Sequence, residues 1–358
     1  MVYHVFPAVA YHLSAQIIVS IIQQSKLEHS FIIIGDARYK SHYIPVFEQY
    51  PGQRFEYYNS VKEFKEKNRL AKRACILLHA RNRDVMLYLL LHLYSNVNFI
   101  CWGGDFFVKK NLKQYIKFFA KYFFFHRLRS IVVLNDPEYN YFKQVFGIKN
   151  LFNIPYAGRE DFFYQFKNLY FENALRKVDK NRRVVVYLGN NGARINTYLK
   201  LLDDLYHLKD YIEIHCMIHY YITNTALLEE LKRKAEKMYG NYCVLHMKTY
   251  EYADYIAFMN KCDVYICSHK DGQTGVGAIN NCFLLGKKVF INGINYEYIA
   301  SQGFKAFISD EVKNDTIEEL IQYDEKDRLH NYNLILGRYE HINETIQKWE
   351  NYYRFIQG

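Results

Sequence analysis

The chain has 358 residues, half of them hydrophobic, and it carries a formal net charge of +10 at pH 7. This length predicts two domains of ordinary size, and the hydrophobic fraction is enough for two cores and excludes a disordered protein. The excess of basic over acidic residues favours an anionic partner such as a nucleotide-sugar, a phospholipid headgroup or a nucleic acid.

Three features of the sequence indicate the compartment in which the protein works. The seven cysteines are scattered without a C-x-x-C pair, which argues against a disulfide framework or a structural zinc site and favours buried thiols in a cytosolic protein. The apolar start, residues 1–22, lacks basic residues before its apolar run, so we interpret it as strand, turn and helix rather than as a signal peptide. The longest apolar run, Val85–Tyr94, is too short to span a bilayer, so any membrane contact is expected to be peripheral.

Strands alternate with helices through the first half of the chain. The predicted strands are Val2–Phe6, Phe31–Ile34, Arg54–Tyr58, Cys75–Leu78, Val97–Cys101, Ile131–Asn135 and Leu151–Ile154. The predicted helices are Ser14–Gln24, Val61–Asn68, Val85–Tyr94 and Pro137–Phe146. The alternation predicts a parallel sheet flanked by helices, with ligand-binding groups at the carboxyl ends of the strands. His79, Asp105 and the turn before His12 lie at such ends.

A polar segment near the middle divides the chain. Residues 157–182 are charged and show no clean period, which predicts a linker between an amino-terminal domain, 1–156, and a second domain, 183–335, with a tail helix in 336–358. The alternation restarts in the second domain. The strands predicted there are Arg183–Leu188, Ile212–Met217, Cys243–Met247, Asp263–Ser268 and Lys288–Asn292. The helices are Asn196–Leu208, Thr225–Tyr239, Tyr250–Lys261 and Thr274–Leu285, the last with Gly286 as a C-cap glycine, and the tail helix runs near His341–Phe355.

Two glycine-containing turns follow strands of the second domain. The first contains Gly189, Asn190, Asn191 and Arg194, and the second contains Gln273, Thr274, Gly275 and Gly277. A helix that begins just after a strand offers free N–H groups and a positive dipole end, which is a site for a diphosphate. An ordinary strand-to-helix turn is the alternative for each. The two turns together favour phosphate binding.

These turns carry a family resemblance. The stretches V-x-L-G-N-N-G-x-R-x-N from Val186, C-D-V-Y-I from Cys262 and Q-T-G-V-G-A-I-N-N-C from Gln273 resemble the TDP-N-acetylfucosamine:lipid II N-acetylfucosaminyltransferases. In the first domain, His12, His79 and W-G-G-D from Trp102 also match that family's pattern. The resemblance spans most of the chain, although residues 80–84 depart from the pattern where the acceptor is expected.

The resemblance implies an α/β protein with the GT-B fold, in which two Rossmann-like domains face each other across a cleft. It implies an inverting transferase that needs neither a metal nor a cofactor and takes its sugar from a dTDP-sugar. The implied acceptor is a polyprenyl-diphosphate-linked sugar at the cytoplasmic face of a bacterial inner membrane, in enterobacterial common antigen synthesis. Two alternatives stay open: a transferase of O-antigen or capsule synthesis with another nucleotide-sugar, and a non-catalytic sugar- or nucleotide-binding module.

The chemistry of sugar transfer makes separate demands on the two domains. The sequence has no D-x-D triplet, so backbone amides and basic side chains at the two glycine turns are expected to stabilise the departing diphosphate. The acceptor hydroxyl needs a base. Asp105 is the leading candidate, although it is also placed to cap the following helix. His79 and His12 are its rivals, and a lone histidine more often serves as a positioning residue.

The segment 105–129 mixes basic and aromatic residues and has no acid after Asp105. Its predicted membrane and acceptor contacts are Lys109, Lys110, Lys113, Lys117, Phe118 and Phe119. Basic and aromatic residues at helical spacing favour a helix on an anionic bilayer surface. A half-buried core helix and a single-stranded nucleic-acid site are the alternatives. We expect the membrane surface and no nucleic-acid partner.

Overall fold

The computed structural model describes residues 1–80, 82–102, 121–156, 160–179, 181–189, 194–218, 224–248, 250–270 and 275–358. These residues form two compact units. The first contains Met1–Glu160 and His341–Gly358, and the second contains Asp161–Glu340. Each unit has one parallel β-sheet.

The first unit is built on a seven-stranded sheet with the order β3-β2-β1-β4-β5-β6-β7 within the described residues. Its strands are β1 Val2–Pro7, β2 His29–Ile34, β3 Arg54–Tyr58, β4 Cys75–His79, β5 Val97–Ile100, β6 Ser130–Val133 and β7 Leu151–Asn153. β1 pairs in parallel with β2 on one side and β4 on the other. Helices cover both faces of such a sheet, which is why its inner strands are nearly continuous apolar runs.

The helices of the first unit connect these strands and close its core. They are Tyr11–Gln24, Ile44–Gln49, Val61–Lys67, Arg83–Leu91, 121–127, Asp136–Tyr141 and the tail helix Ile342–Gln357. Trp349, Tyr352 and Ile356 of the tail helix pack in one cluster with Cys75 and Leu77 of β4. The tail therefore completes the core of the first unit.

The second unit repeats the plan with a six-stranded sheet in the order β10-β9-β8-β11-β12-β13, again for the described residues. Its strands are β8 Val184–Leu188, β9 Ile212–Met217, β10 Cys243–His246, β11 Val264–Cys267, β12 Lys288–Ile291 and β13 Phe307–Ile308. Its helices are Glu160–Ala174, Ile195–Asp204, Thr225–Tyr239, Tyr252–Lys261, Val276–Leu284, Gly293–Ser301, Ile317–Ile321 and Glu325–Glu340.

The expected linker differs from the structure. Much of it is the helix Glu160–Ala174, whose Phe163, Tyr170 and Ala174 are buried in the core of the second unit, with Phe166 packed against that core. These residues are spaced by three or four positions, which places them on one helix face. The residues between them include both charged and aromatic side chains, such as Lys167 and Phe171, and this mixture hid the period in the sequence.

The other predicted strands and helices are found, with shifts at their ends. The first helix begins at Tyr11, three residues before its predicted start, so His12 lies in its first turn. The helix after β8 ends at Asp204, and the helix predicted to begin at Thr274 begins at Val276. Gly286 follows the last residues of that helix with a φ of 63°, as expected of a C-cap glycine.

Two further observations concern the thiols and the membrane. All seven cysteines are free, and six of them are buried. Within the described part of the chain, no helix has the length and apolar character needed to cross a membrane.

Candidate functional site

The carboxyl ends of β8 and β11 form the centre of the candidate site in the second unit. β8 pairs with β9 on one side and with β11 on the other, so the connections leave it in opposite directions. Open parallel sheets bind ligands at such a switch point. Gly189 follows β8 with a φ of 54°, and its amide donates to the carbonyl of Ile266 in β11 over 2.8 Å. The first glycine turn is thereby fixed to the neighbouring strand.

The helix after β11 presents its amino-terminal end at the same edge of the sheet. Gly275 precedes it in the left-handed region, with φ 71° and ψ 16°, and no described side chain caps this end. The first described bond of the helix joins the amide of Ile279 to the carbonyl of Gly275, so the preceding amides have no partner inside the helix. A Cβ added to Gly277, in the first turn, would have no described atom within 4 Å. This end of the helix is open to an anion.

Arg194 immediately precedes the other helix at this edge, Ile195–Asp204. Its side chain is exposed, and no described side chain caps the helix that follows it. Its positive charge acts on the imidazole of His269, which follows β11. The guanidinium of Arg194 is therefore close enough to the imidazole of His269 to influence its charge state.

The side chain of His269 gives the strongest indication of a ligand at this edge of the sheet. It is 4% exposed, and its Nδ1 lies 3.3 Å from the hydroxyl oxygen of Thr197. Its Nε2 is buried and has no hydrogen-bond partner among the described residues. Burial, with a smaller contribution from the Arg194 charge, lowers the pKa of His269 to about 4. The imidazole is therefore neutral near pH 7, with one nitrogen free for a ligand.

Contacts between neighbouring loops hold this edge of the sheet together. A Cβ added to Gly293, which begins the helix after β12 with a φ of 54°, would lie 2.4 Å from the carbonyl oxygen of Lys270. Lys270 and Lys200 both pair with the carboxylate of Asp310, and the hydrogen bond from Lys270 is the main reason that the pKa of Asp310 is lowered. These contacts hold the exits of β11, β12 and β13 together. In the part of the chain that is described, no three His, Cys, Asp or Glu side chains gather as a metal site would require.

The first unit has its own cluster at the carboxyl end of β4. His79 is 1% exposed, its Nδ1 lies 2.8 Å from the hydroxyl of Tyr156, and its Nε2 lies 2.8 Å from Nδ1 of His4. Burial lowers the pKa of His79 well below its ordinary value. Because both ring nitrogens contact protein groups, the geometry favours a positioning role for His79. The next residue, Ala80, has a φ of 59°, a strained conformation often found at functional sites.

Several predicted site residues lie outside the described part of the chain. They are Asp105, Asn190, Asn191, Gln273, Thr274, Lys109, Lys110, Lys113, Lys117, Phe118 and Phe119. The backbone of His12 belongs to the helix Tyr11–Gln24, but its side chain is also outside the description. Gly189, Arg194, Gly275 and Gly277 are the predicted donor-binding residues that the structure describes, and all four flank the switch point of the second sheet.

The described end of the basic aromatic segment is amphipathic. Phe125 and Leu128 are buried in the core of the first unit, whereas Phe123 is 59% exposed. The guanidinium of Arg127, also exposed, lies 5.6 Å from the centre of the Phe123 ring. This end of the segment therefore joins core packing with an exposed aromatic and basic face.

Sequence reasoning missed three residues of these clusters. His269 follows β11 directly after the predicted strand Asp263–Ser268, and its position after a buried strand was the available signal. His4 lies inside β1, where a histidine among apolar residues gives no sign of a partner. Tyr156 contacts His79 across 77 residues of sequence, a pairing that only the folded sheet reveals.

Comparisons with known proteins agree with this architecture. A trehalose-phosphate synthase from Burkholderia vietnamiensis is 12% identical with a TM-score of 0.65, over 99% of both chains. Anabaena Alr3699/HepE, solved with UDP and glucose, is 11% identical with a TM-score of 0.67, over 97% of this chain and 98% of that one. TarM from S. aureus, solved with fondaparinux, alpha-GlcNAc-glycerol and UDP, is 9% identical with a TM-score of 0.51, over 80% of this chain and 57% of that one.

At the level of sequence, no family model and no curated protein matches the chain. The structural likeness nevertheless covers nearly the whole chain, and the two parallel sheets with their flanking helices are the elements that it matches. The expected fold class is therefore confirmed, and the chain has the GT-B fold of these glycosyltransferases.

Proposed function

We propose that the protein is a glycosyltransferase that binds the diphosphate of a nucleotide-sugar at the carboxyl ends of β8 and β11. The observation that carries this proposal is the buried Nε2 of His269, which has no partner among the described residues. The same ring contacts Thr197, in the first turn of the uncapped helix Ile195–Asp204, and it lies within reach of the charge of Arg194. UDP in the structures of HepE and TarM supports a nucleoside diphosphate as the ligand class.

The site supplies what the departing diphosphate requires. One further negative charge develops on it as the bond between the sugar and the phosphate oxygen breaks, and donors held in place before the reaction stabilise this charge most effectively. In the proposed complex, the amides of the first turn at Val276 and Gly277 and the guanidinium of Arg194 contact phosphate oxygens. If Thr197 donates its hydroxyl proton to Nδ1 of His269, the neutral imidazole keeps a proton on Nε2 for a further phosphate oxygen.

The acceptor side belongs to the first unit in this proposal. Asp105 takes the proton of the acceptor hydroxyl in a single inverting displacement, and His79 acts as a positioning residue because both its nitrogens are engaged. The place of Asp105, three residues after Trp102 in the sequence, rests on the family resemblance. His12 remains a rival base. No metal ion is required, since basic and backbone groups stabilise the diphosphate.

The finer identity of the substrates is part of the same proposal. The resemblance favours a dTDP-activated acetamido-deoxy sugar and a polyprenyl-diphosphate-linked acceptor in bacterial surface polysaccharide synthesis. The exposed Phe123 with Arg127 supports contact with an anionic membrane, at the cytoplasmic face of the inner membrane. An O-antigen or capsule transferase that uses a UDP-sugar is the alternative, since HepE and TarM were both solved with UDP.

The experiment is sugar transfer from a panel of dTDP- and UDP-sugars to polyprenyl-diphosphate-linked acceptors, with EDTA present. We expect turnover without metal, and turnover about 10²–10⁴ times lower in Asp105→Asn because the base is lost. Donor affinity of that variant should stay the same, since the base faces the acceptor. Activity that disappears in EDTA and returns with magnesium would contradict the proposal. A near-normal Asp105→Asn beside an inactive His12→Ala would move the base to His12.

A further inference from the structure

A line of buried and partly buried polar side chains crosses the core of the first unit. At one end, the indole Nε1 of Trp102 donates to the hydroxyl oxygen of Tyr156 over 2.7 Å. The same hydroxyl lies 2.8 Å from Nδ1 of His79, whose Nε2 lies 2.8 Å from Nδ1 of His4. The line thus joins the exit of β5 to the middle of β1.

The line continues to the opposite end of the sheet. Nε2 of His4 lies 2.8 Å from Nδ1 of His29, and Nε2 of His29 lies 2.8 Å from the hydroxyl of Ser25. Ser25 donates to Oε1 of Glu350 over 2.5 Å, and the backbone amide of Lys26 donates to the same oxygen. The seven side chains that we call the relay are, in order, Trp102, Tyr156, His79, His4, His29, Ser25 and Glu350.

The histidines of the relay are neutral. His4, His79 and His29 are 0%, 1% and 6% exposed. Burial lowers the pKa of His4 and of His79 well below the ordinary value, with neighbouring histidines acting in the same direction. Burial lowers the pKa of His29 to about 4, although the charge of Glu350 acts against it. Each imidazole therefore has one N–H that donates and one bare nitrogen that accepts.

The two ends of the relay fix the direction of every bond between them. An indole N–H only donates, and a carboxylate only accepts. The hydroxyl of Ser25 donates its hydrogen bond to Glu350, so Nε2 of His29 must donate to the oxygen of Ser25. Nδ1 of His29 must then accept a hydrogen bond. The same rule then applies to His4 and to His79, whose Nδ1 accepts the phenol proton of Tyr156. All three histidines are therefore the Nε2–H tautomer.

We infer that the relay is a one-way hydrogen-bond chain, terminated by the carboxylate of Glu350, that holds Tyr156 and Trp102 at the carboxyl edge of the first sheet. Glu350, Ser25 and the three histidines are then positioning residues that act through Trp102. In the sequence Trp102 stands three residues before Asp105, so the relay fixes the described residue that precedes the proposed base. This consequence for catalysis rests on the proposed function, whereas the bond directions do not.

A shorter chain in the second unit follows the same rule. The hydroxyl of Tyr250 lies 2.6 Å from Nδ1 of His246, Nε2 of His246 lies 2.8 Å from Nδ1 of His215, and Nε2 of His215 lies 2.9 Å from Oε1 of Glu213. The carboxylate at the end of this chain likewise requires a proton on Nε2 of His215. By contrast, the exposed His92 contacts the carbonyl of Tyr88 through Nδ1, which requires a proton on Nδ1.

The direct test is long-range ¹H–¹⁵N correlation of the full chain labelled with ¹⁵N-histidine, with each ring assigned through its own His→Gln variant. We expect His4, His29 and His79 to carry their protons on Nε2 from pH 6 to 8, while His92 shows a protonated Nδ1. A proton on Nδ1 of any of the three, or a charged ring at pH 7, would overturn the relay.

Its positioning role is tested with Tyr156→Phe, which removes one hydroxyl and keeps the ring. We expect the Trp102 indole N–H resonance to move more than that of Trp349, which donates to the carbonyl of Pro155. We also expect kcat for sugar transfer to fall about tenfold with an unchanged KM for the donor. An unmoved Trp102 resonance, or an unchanged kcat, would contradict the role. If the wild-type chain transfers no sugar, the proposed function fails and the tautomers and the Trp102 resonance still decide the relay.

Discussion

The α-carbon of Gly189 faces the hydroxyl of Tyr198 so closely that a Cβ at position 189 would lie 2.6 Å from the hydroxyl oxygen. Tyr198 is 1% exposed and donates to the carbonyl of Met217 over 2.7 Å, so a movement away from position 189 would break this hydrogen bond. The first glycine turn therefore needs glycine both for its positive φ and for this contact.

Gly189→Ala should destabilise the fold more than an alanine at a comparable open position. Gly147 supplies the control, because it has a φ of 62° and no described atom within 4 Å of an added Cβ. Gly147→Ala should lower the free energy of unfolding by about 1–2 kcal/mol through backbone strain alone. Gly189→Ala should lower it by a further 1–3 kcal/mol or so through overpacking. Urea unfolding of both variants measures the difference, and equal losses would contradict the close contact.

His269→Phe should weaken binding of UDP and dTDP while it preserves the filled volume. A hydrogen bond to a charged group contributes about 1.5–3 kcal/mol, which corresponds to a loss of affinity of about 10- to 150-fold. Thr197→Val is the matched control, since it removes only the hydroxyl that contacts Nδ1. We expect a smaller loss for this control in isothermal titration. Unchanged affinity in His269→Phe would show that the diphosphate binds elsewhere.

The free energy of unfolding should fall as the pH decreases from about 6.5 to 4. The pKa values of His29, His246 and His269 are lowered to about 4, chiefly by burial, whereas an unfolded histidine titrates near pH 6.5. Between these values the unfolded chain binds protons that the folded chain does not. Each such histidine therefore contributes a slope of about 1.4 kcal/mol per pH unit, and stability rises with pH across this window.

Urea unfolding at several pH values measures this slope, and replacement of one buried histidine identifies its share. His269→Phe should reduce the slope by the contribution of one histidine, about 1.4 kcal/mol per pH unit. His92→Gln, a change at an exposed position, should leave the slope nearly unchanged. Stability that does not vary between pH 4 and 6.5 would mean that these imidazoles are not buried as neutral rings.

Membrane binding should depend on the basic aromatic segment. Replacement of Lys109, Lys110, Lys113 and Lys117 with Gln should release the protein from phosphatidylglycerol vesicles, because each charge near the surface contributes about 1 kcal/mol. Phe123→Ser should weaken sedimentation with the same vesicles. Phe171→Ser removes an aromatic ring that is 50% exposed in the second unit and serves as the control. If the quadruple variant still sediments at low salt, the membrane role is wrong.

Local sequence patterns predicted most strands and helices, because alternation, capping residues and glycine turns act over a few residues. Gly189, Gly275 and Gly286 could be placed correctly for this reason, since a positive φ after a strand or helix has few other solutions. The helix Glu160–Ala174 was missed because aromatic residues such as the half-exposed Tyr164 and Phe171 also stand outside its buried face and blur the helical period. Its assignment to the core depended on packing against distant residues such as Tyr339.

The polar clusters could not be predicted from local sequence patterns, for a different physical reason. The pairing of His4 with His79 joins residues that are 75 positions apart, and the pairing of Ser25 with Glu350 joins residues that are 325 positions apart. Such contacts depend on strand order and on the return of the tail helix to the first unit. His269 could be located after a strand, but its burial and its unpartnered nitrogen follow only from the packed structure.

The central claim is that a nucleoside diphosphate lies against the first turn of the helix Val276–Leu284. The most direct measurement compares the affinities of Gly277→Ala and Gly337→Ala for UDP and dTDP by isothermal titration. Both glycines lie in helices, and no described atom lies within 4 Å of a Cβ added at either position. Alanine should therefore preserve or slightly raise the stability of both. We predict that Gly277→Ala loses at least about tenfold in affinity, or ~1.4 kcal/mol, while Gly337→Ala binds like the wild type. Wild-type affinity in Gly277→Ala would contradict the account.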